Sequence, residues 1–176
     1  MIINYESRKS REKQLRFVFY SIAALLIIIF QISVVNLIEV GGLTPNLMII
    51  LVVWITLSEG QFVGLLAGFL AGLVFDIATF DLIGTNALAQ TVNAFIAGFF
   101  HKVGKEDLTL KRFSFIITVF ISSVSHNLVY FFLYLKLSEL DFFSFFFKYG
   151  IATSLYTTVF GVAAILFKLP KKEINL

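Results

Sequence analysis

With 59% hydrophobic residues, 14% charged residues and a mean hydropathy of +0.92, this 176-residue chain carries more apolar surface than a soluble domain of its size can hide. It has no cysteine, which excludes disulfides, thiolate metal sites and cysteine nucleophiles. Its two histidines, His101 and His126, are too few for a histidine-based metal site, and the net charge of +3 matters less than where the charges fall.

Six apolar segments follow one another, roughly over 17–38, 43–57, 62–78, 82–100, 113–135 and 145–167. Most approach the length of about 20 residues that crosses a bilayer. The second is short, and spans if Gln61 and its loop are drawn in or if the bilayer thins. A basic tail over 1–16 holds Arg8, Lys9, Arg11, Lys13 and Arg16 and is suited to anionic lipid heads. The run after it is longer than a signal-peptide core, with no Ala-x-Ala-like site behind Phe30, so it reads as a retained first helix. Thr44-Pro45-Asn46 predicts a helix start, with Thr44 as cap and Pro45 in the first helical position, after a tight turn at Gly41-Gly42. Ser58 to Gln61 turns segments two and three into a hairpin, and Asp81 to Gly84 turns the chain back again. Phenylalanine and tyrosine crowd 130–149, as in an aromatic belt. A second basic group lies between segments four and five (Lys102, Lys105, Lys111, Arg112), and Lys168, Lys171 and Lys172 follow segment six, the last two in a tail over 169–176. Twelve basic residues thus fall on one side against Lys136 and Lys148 on the other, which predicts both termini in the cytoplasm. The expectation is one all-α integral membrane domain over 17–168 with six transmembrane helices.

Segment three carries the strongest pattern. Gly60, Gly64, Gly68 and Gly72 recur every fourth residue, and Asp76 continues the spacing. On an apolar helix this makes a stripe of small residues against which another helix packs closely. That helix belongs either to this chain, the favoured reading, or to a partner. Asp76 ends the stripe near the outer surface, where a carboxylate is less expensive than at the bilayer centre. The favoured reading is a hydrogen-bonded carboxylate holding the outer turn. No second acidic residue inside a segment suggests a proton relay.

Polar residues in the other segments share faces: Asn86, Gln90 and Asn93 in segment four, and Ser122, His126 and Tyr130 in segment five beside Asn127. Thr153, Thr157 and Gly161 align in segment six, and Gln31 and Asn36 lie late in segment one. Interhelical hydrogen bonding is the favoured reading. The alternative is a shallow outward pocket for a lipid or small ligand. No nucleophile elbow, zinc motif, phosphate loop or paired intramembrane carboxylate is present, so no enzyme, metal or cofactor is expected.

Leu43-Thr44-Pro45-Asn46-Leu47, an apolar hairpin, Gly64, Gly68-Phe69, Gly72-Leu73, Asp76, and Leu82-Ile83-Gly84 with Ala87-Leu88 together resemble the rod shape-determining MreD family. The resemblance is carried by 43–97 and, beyond it, by size, the six-helix plan and the basic ends. It implies a multi-pass protein of the bacterial inner membrane, a non-enzymatic scaffold that binds MreC and helps direct peptidoglycan synthesis and cell shape. MreB, RodA and a class B penicillin-binding transpeptidase are implied as indirect partners in the elongation machinery. Membrane lipid and a second copy of the chain are further candidate partners; nucleic acid is not. Pro45, Gly60, Gly64, Gly68, Gly72, Asp76 and Gly84 are then packing or partner-binding candidates. The family is also similar in fold to substrate-binding subunits of energy-coupling-factor transporters. A small-molecule-binding transport subunit, using Asn86, Gln90, Asn93, His126, Asn127 and Tyr130, is the alternative function.

Overall fold

The computed structural model describes residues 2–104, 110, 112–135 and 142–166. Lys105, Lys111, Lys136, Lys168 and the tail over 169–176 lie outside the described residues. The elements are α1 (Ile2–Ser33), a 3-10 turn (Val35–Ile38), α2 (Leu47–Glu59), α3 (Gln61–Thr79), α4 (Thr85–Gly98) and α5 (Arg112–Leu135). A last rod runs from α6 (Phe142–Phe145) through a π turn (Phe146–Gly150) into α7 (Ile151–Leu166). The described residues are all helical apart from turns, loops and one isolated bridge, Val40 to Leu43, which closes a glycine turn with φ +62° at Gly41 and +82° at Gly42. The basic stretch expected as a separate tail continues α1 without a break.

Three helical stretches are long and apolar enough to cross a membrane: Lys13–Ser33, Gln61–Thr79 and Phe113–Leu135. This is the fold of a membrane protein, and its side-chain distribution agrees. Helix α3 buries Gly64, Gly68, Ala71, Gly72 and Asp76 while Phe62, Leu66, Phe69, Leu70 and Ile77 stand exposed. Small residues inside and large apolar residues outside is unfavourable in water and favourable in lipid, where close backbone approach supplies the attraction.

Helix α2 sits at the centre. Met48, Ile49, Ile50, Val52, Val53, Ile55, Thr56 and Leu57 are all buried, and a half-buried stripe of Leu47, Leu51, Trp54 and Ser58 is left partly open. Its core partners include Ala97 on α4 and Phe115 and Val119 on α5. Trp54 packs edge-on against Phe115 at 5.6 Å. Helix α1 lies at the periphery, with only 6% of its apolar window buried.

Two poles result. At the proximal pole, Glu59 accepts the Tyr20 hydroxyl at 3.1 Å and pairs with Arg16 at 3.1 Å. His101 Nδ1 lies 2.9 Å from the Leu57 carbonyl, joining the ends of α4 and α2. At the distal pole, Gln31 on α1 donates to the Pro45 carbonyl at 2.8 Å and accepts the Leu47 N–H at 3.0 Å. Tyr156 on α7 donates to the Ile38 carbonyl at 2.8 Å.

Candidate functional site

The distal pole is built from the starts of α2 and α4. Thr44 and Pro45 do not open α2, contrary to the sequence expectation. The helix begins at Leu47, and Asn46 is its cap, accepting the Ile49 N–H at 3.3 Å. Asn46 in turn donates its own N–H to the Thr157 hydroxyl at 3.0 Å. Pro45 serves through its carbonyl, the acceptor for Gln31. The tie to Gln31 and Thr157, distant in sequence, fixes which of the two nearby cap-forming residues, Thr44 and Asn46, takes the position.

Asp76 holds the start of α4. Its Oδ2 accepts the Gly84 N–H at 2.8 Å and the Ala87 N–H at 3.2 Å, and its Oδ1 accepts the Asn86 N–H at 3.0 Å and the Asn86 side-chain amide at 2.9 Å. A helix N-terminus leaves its first N–H groups without intrahelical partners and carries partial positive charge. Asp76 supplies both acceptors and opposite charge from a neighbouring helix. Its own carbonyl accepts the N–H groups of Phe80 and Asp81, so the α3–α4 turn closes on this one residue. The turn carries positive φ at Phe80 (+56°) and Gly84 (+102°).

The glycine stripe faces the chain's own helices. A Cβ on Gly64 would collide with the Thr56 side chain on α2; one on Gly68 would lie 2.6 Å from the Gln90 carbonyl oxygen; one on Gly72, 2.5 Å from that of Asn86. Gly60 differs: it is the turn between α2 and α3, with φ +98°. Gly84 has open space around it and is required for its conformation.

Between the two helix starts and the last two rods lies a cavity of about 480 Å³. Asn86, His126, Asn127 and Tyr130 line it together with Gln31, Thr44, Asn46, Phe75, Tyr149 and Thr153. Gln90 and Asn93 are not in its wall: they are buried deeper, where Asn93 donates to Gln90 at 2.9 Å. His126 and Asp76 form no pair. His126 Nδ1 lies 3.2 Å from Asn127 Oδ1, and the Asn127 amide nitrogen donates to the Gly150 carbonyl at 3.0 Å and the Ser154 hydroxyl at 2.9 Å. Tyr130 donates to Asp81 at 3.3 Å. Tyr149, Phe145 and Phe75 escape a reading of polar periodicity because they are aromatic, and for Tyr149 and Phe145 a belt is an equally good explanation in sequence.

A second hollow, apolar and also about 480 Å³, separates the middle of α1 from α2 and α3. Ala24, Ile28, Leu51, Ile55, Leu66 and Leu70 are among the residues around it.

The chain matches the family model of the rod shape-determining protein MreD over residues 11–171. It belongs to the MreD family. No curated protein and no solved structure matches it. The match extends well beyond 43–97, the stretch that carries the sequence resemblance, and takes in α1, α5 and α7. Membership of the MreD family assigns the chain a role in rod-shape determination, as a membrane protein of a family of shape determinants rather than of enzymes.

Proposed function

We propose that this MreD-family chain is a six-pass scaffold of the bacterial inner membrane, with both termini in the cytoplasm, that receives the transmembrane helix of MreC. Through MreC it joins MreB, RodA and a class B transpeptidase in directing peptidoglycan synthesis along the rod. The observation that carries this reading is the apolar hollow beside α1. Over its apolar stretch helix α1 is tied to the bundle by Arg16 and Tyr20 to Glu59 on one side and by Gln31 to Pro45 and Leu47, with Ile28 packed on Met48 and Ala71, on the other; the hollow opens between these ties. The glycine stripe is occupied internally, so the open apolar surface for a partner helix is the α1–α3 face. Leu66 and Leu70, both at least half exposed, stand at its edge. In lipid a partner gains little from hydrophobicity alone; large side chains seated in a preformed hollow supply the packing that association needs.

The test is co-purification of tagged protein with MreC from mild detergent, in wild type and in Ala24→Phe and Ala67→Phe variants that fill the hollow. Loss of a well-packed anchor is worth about 2 kcal/mol or more, so recovery of MreC is expected to fall at least tenfold while yield of the tagged protein holds. Unchanged recovery in both variants sends the partner to another face.

A further inference from the structure

We infer that the distal cavity is a binding site for a small uncharged molecule rich in hydroxyl or amide groups. Its volume of about 480 Å³ falls within the range of about 300–1,000 Å³ typical of ligand sites. Three features of the wall define the chemistry.

The first is charge. Among the described residues that line the cavity none is Lys, Arg, Asp or Glu. Two helix starts border it, at Asn46 and Asn86, and such starts ordinarily attract anions. Here their N–H groups are taken up by the chain itself: Ile49 by Asn46, Leu47 by Gln31, and Gly84, Asn86 and Ala87 by Asp76. An anion would find these N–H groups already engaged, and a cation no carboxylate in the wall.

The second is the state of His126. The Gly150 carbonyl can only accept, so the Asn127 amide nitrogen must face it and Asn127 Oδ1 must face His126. His126 therefore carries its proton on Nδ1, and Nε2 is an acceptor. That acceptor is buried and has no partner, on a ring that lines the cavity. An occupant that reaches Nε2 satisfies it only with a donor, a hydroxyl or an N–H.

The third is the division of the wall. Phe75, Phe131 and Phe145 present surface that water wets without hydrogen bonding, while the Thr44 and Thr153 hydroxyls have no hydrogen-bond partner among the described residues. A molecule with one apolar ring face and several hydroxyls satisfies both sides at once.

The test uses protein labelled with 15N-histidine in nanodiscs, where the chain's two histidines give separable signals. Before any addition, His126 is expected in the Nδ1–H form; the Nε2–H form overturns the argument. Phenyl β-D-glucopyranoside is then titrated. The expected result is a saturable shift at His126 with none at His101, weakened at least threefold by the near-isosteric Thr153→Val. Phenyl β-D-glucuronide, the same shape with one carboxylate, is expected to shift neither. An equal response to the glucuronide, a glucoside response at both histidines or at neither, or wild-type affinity in Thr153→Val overturns the proposal. Discs carrying monoglucosyl diacylglycerol separate two sources of this chemistry: a His126 shift without added solute identifies a lipid headgroup, and a shift only with the free glucoside identifies a solute.

Discussion

Replacing Asp76 separates a structural carboxylate from a functional one. In Asp76→Ala the α4 start loses all four of its acceptor contacts. The N–H groups of Asn86 and Ala87 are buried, and an orphaned buried donor costs about 1–3 kcal/mol, so these two alone lose about 2–6 kcal/mol. Removing a buried charge returns part of that, because the carboxylate no longer has to be desolvated. The net expectation is a loss of about 2–4 kcal/mol, near or above the upper end for a helix cap. Asp76→Asn keeps one oxygen and turns an amide N–H₂ toward the donors on the other side, so about half the loss is expected. Trp54, the sole tryptophan and packed on Phe115, reports unfolding by fluorescence during titration of the micellar protein with a denaturing detergent. Rod-shape complementation is scored in the same variants. On the structural reading, function follows stability through the series from Asp to Asn to Ala. An Asp76→Asn protein that unfolds like wild type yet fails to support rod shape refutes the reasoning, since only the charge itself would then be missing.

Gly72→Ala adds one methyl against the backbone of Asn86 and Ala87, which cannot rotate away, and should cost about 1–3 kcal/mol or prevent accumulation of folded protein. Gly84→Ala meets no atoms but must hold φ +102°, so a loss of about 1–2 kcal/mol is expected; the two are compared by yield and by the same Trp54 titration. Gln31→Leu removes both ties between α1 and the start of α2 and should cost about 1–2 kcal/mol, with faster hydrogen exchange at the Leu47 amide. Since the chain lacks cysteine, Leu37→Cys and Val103→Cys, at exposed positions on opposite poles, test the orientation. An impermeant maleimide is expected to label the first in intact spheroplasts and the second only after lysis; the reverse pattern inverts the topology.

Asp76 is conspicuous in the sequence because the glycine spacing leads to it, but its partners are not. Three of its four donors are backbone N–H groups, and they reach it only because Phe80 and Gly84 take left-handed conformations in the intervening turn. The cap of α2 shows the same limit. Thr44 and Asn46 have equal local credentials, and the choice falls to Gln31 and Thr157, more than ten residues and more than a hundred residues away. Periodicity groups Asn86, Gln90 and Asn93 on one face, yet a helix face broad enough to hold three polar residues meets different neighbours along its length. Asn86 reaches Asp76 and the cavity, while Gln90 and Asn93 turn to each other beside α2. Two of the apolar segments, 43–57 and 82–100, yield helices shorter than themselves, since their first residues form the distal turns.

That shortness explains why the cavity exists where it does. Helix α2 has 13 residues and α4 has 14, about 20 and 21 Å at 1.5 Å per residue, against about 30 Å for the hydrocarbon core. Both are anchored at the proximal pole, α2 through Glu59 and α4 through His101, which meets Leu57. Their starts, which build the distal pole, are set among longer rods such as α5, which has 24 residues. Backbone ends placed inside an apolar layer need acceptors from within the protein, because lipid supplies none. Asn46, Gln31 and Asp76 meet that need for the two starts. The space left above them is bounded by polar caps below and by the aromatic side chains of α5, α6 and the π turn at its sides. A cavity with a polar floor and aromatic walls follows from setting two short helices inside a bundle of longer ones. Extending α2 with two residues at its start should accordingly fill the cavity before it disturbs the proximal core, a change read directly as loss of the His126 response with Trp54 fluorescence preserved.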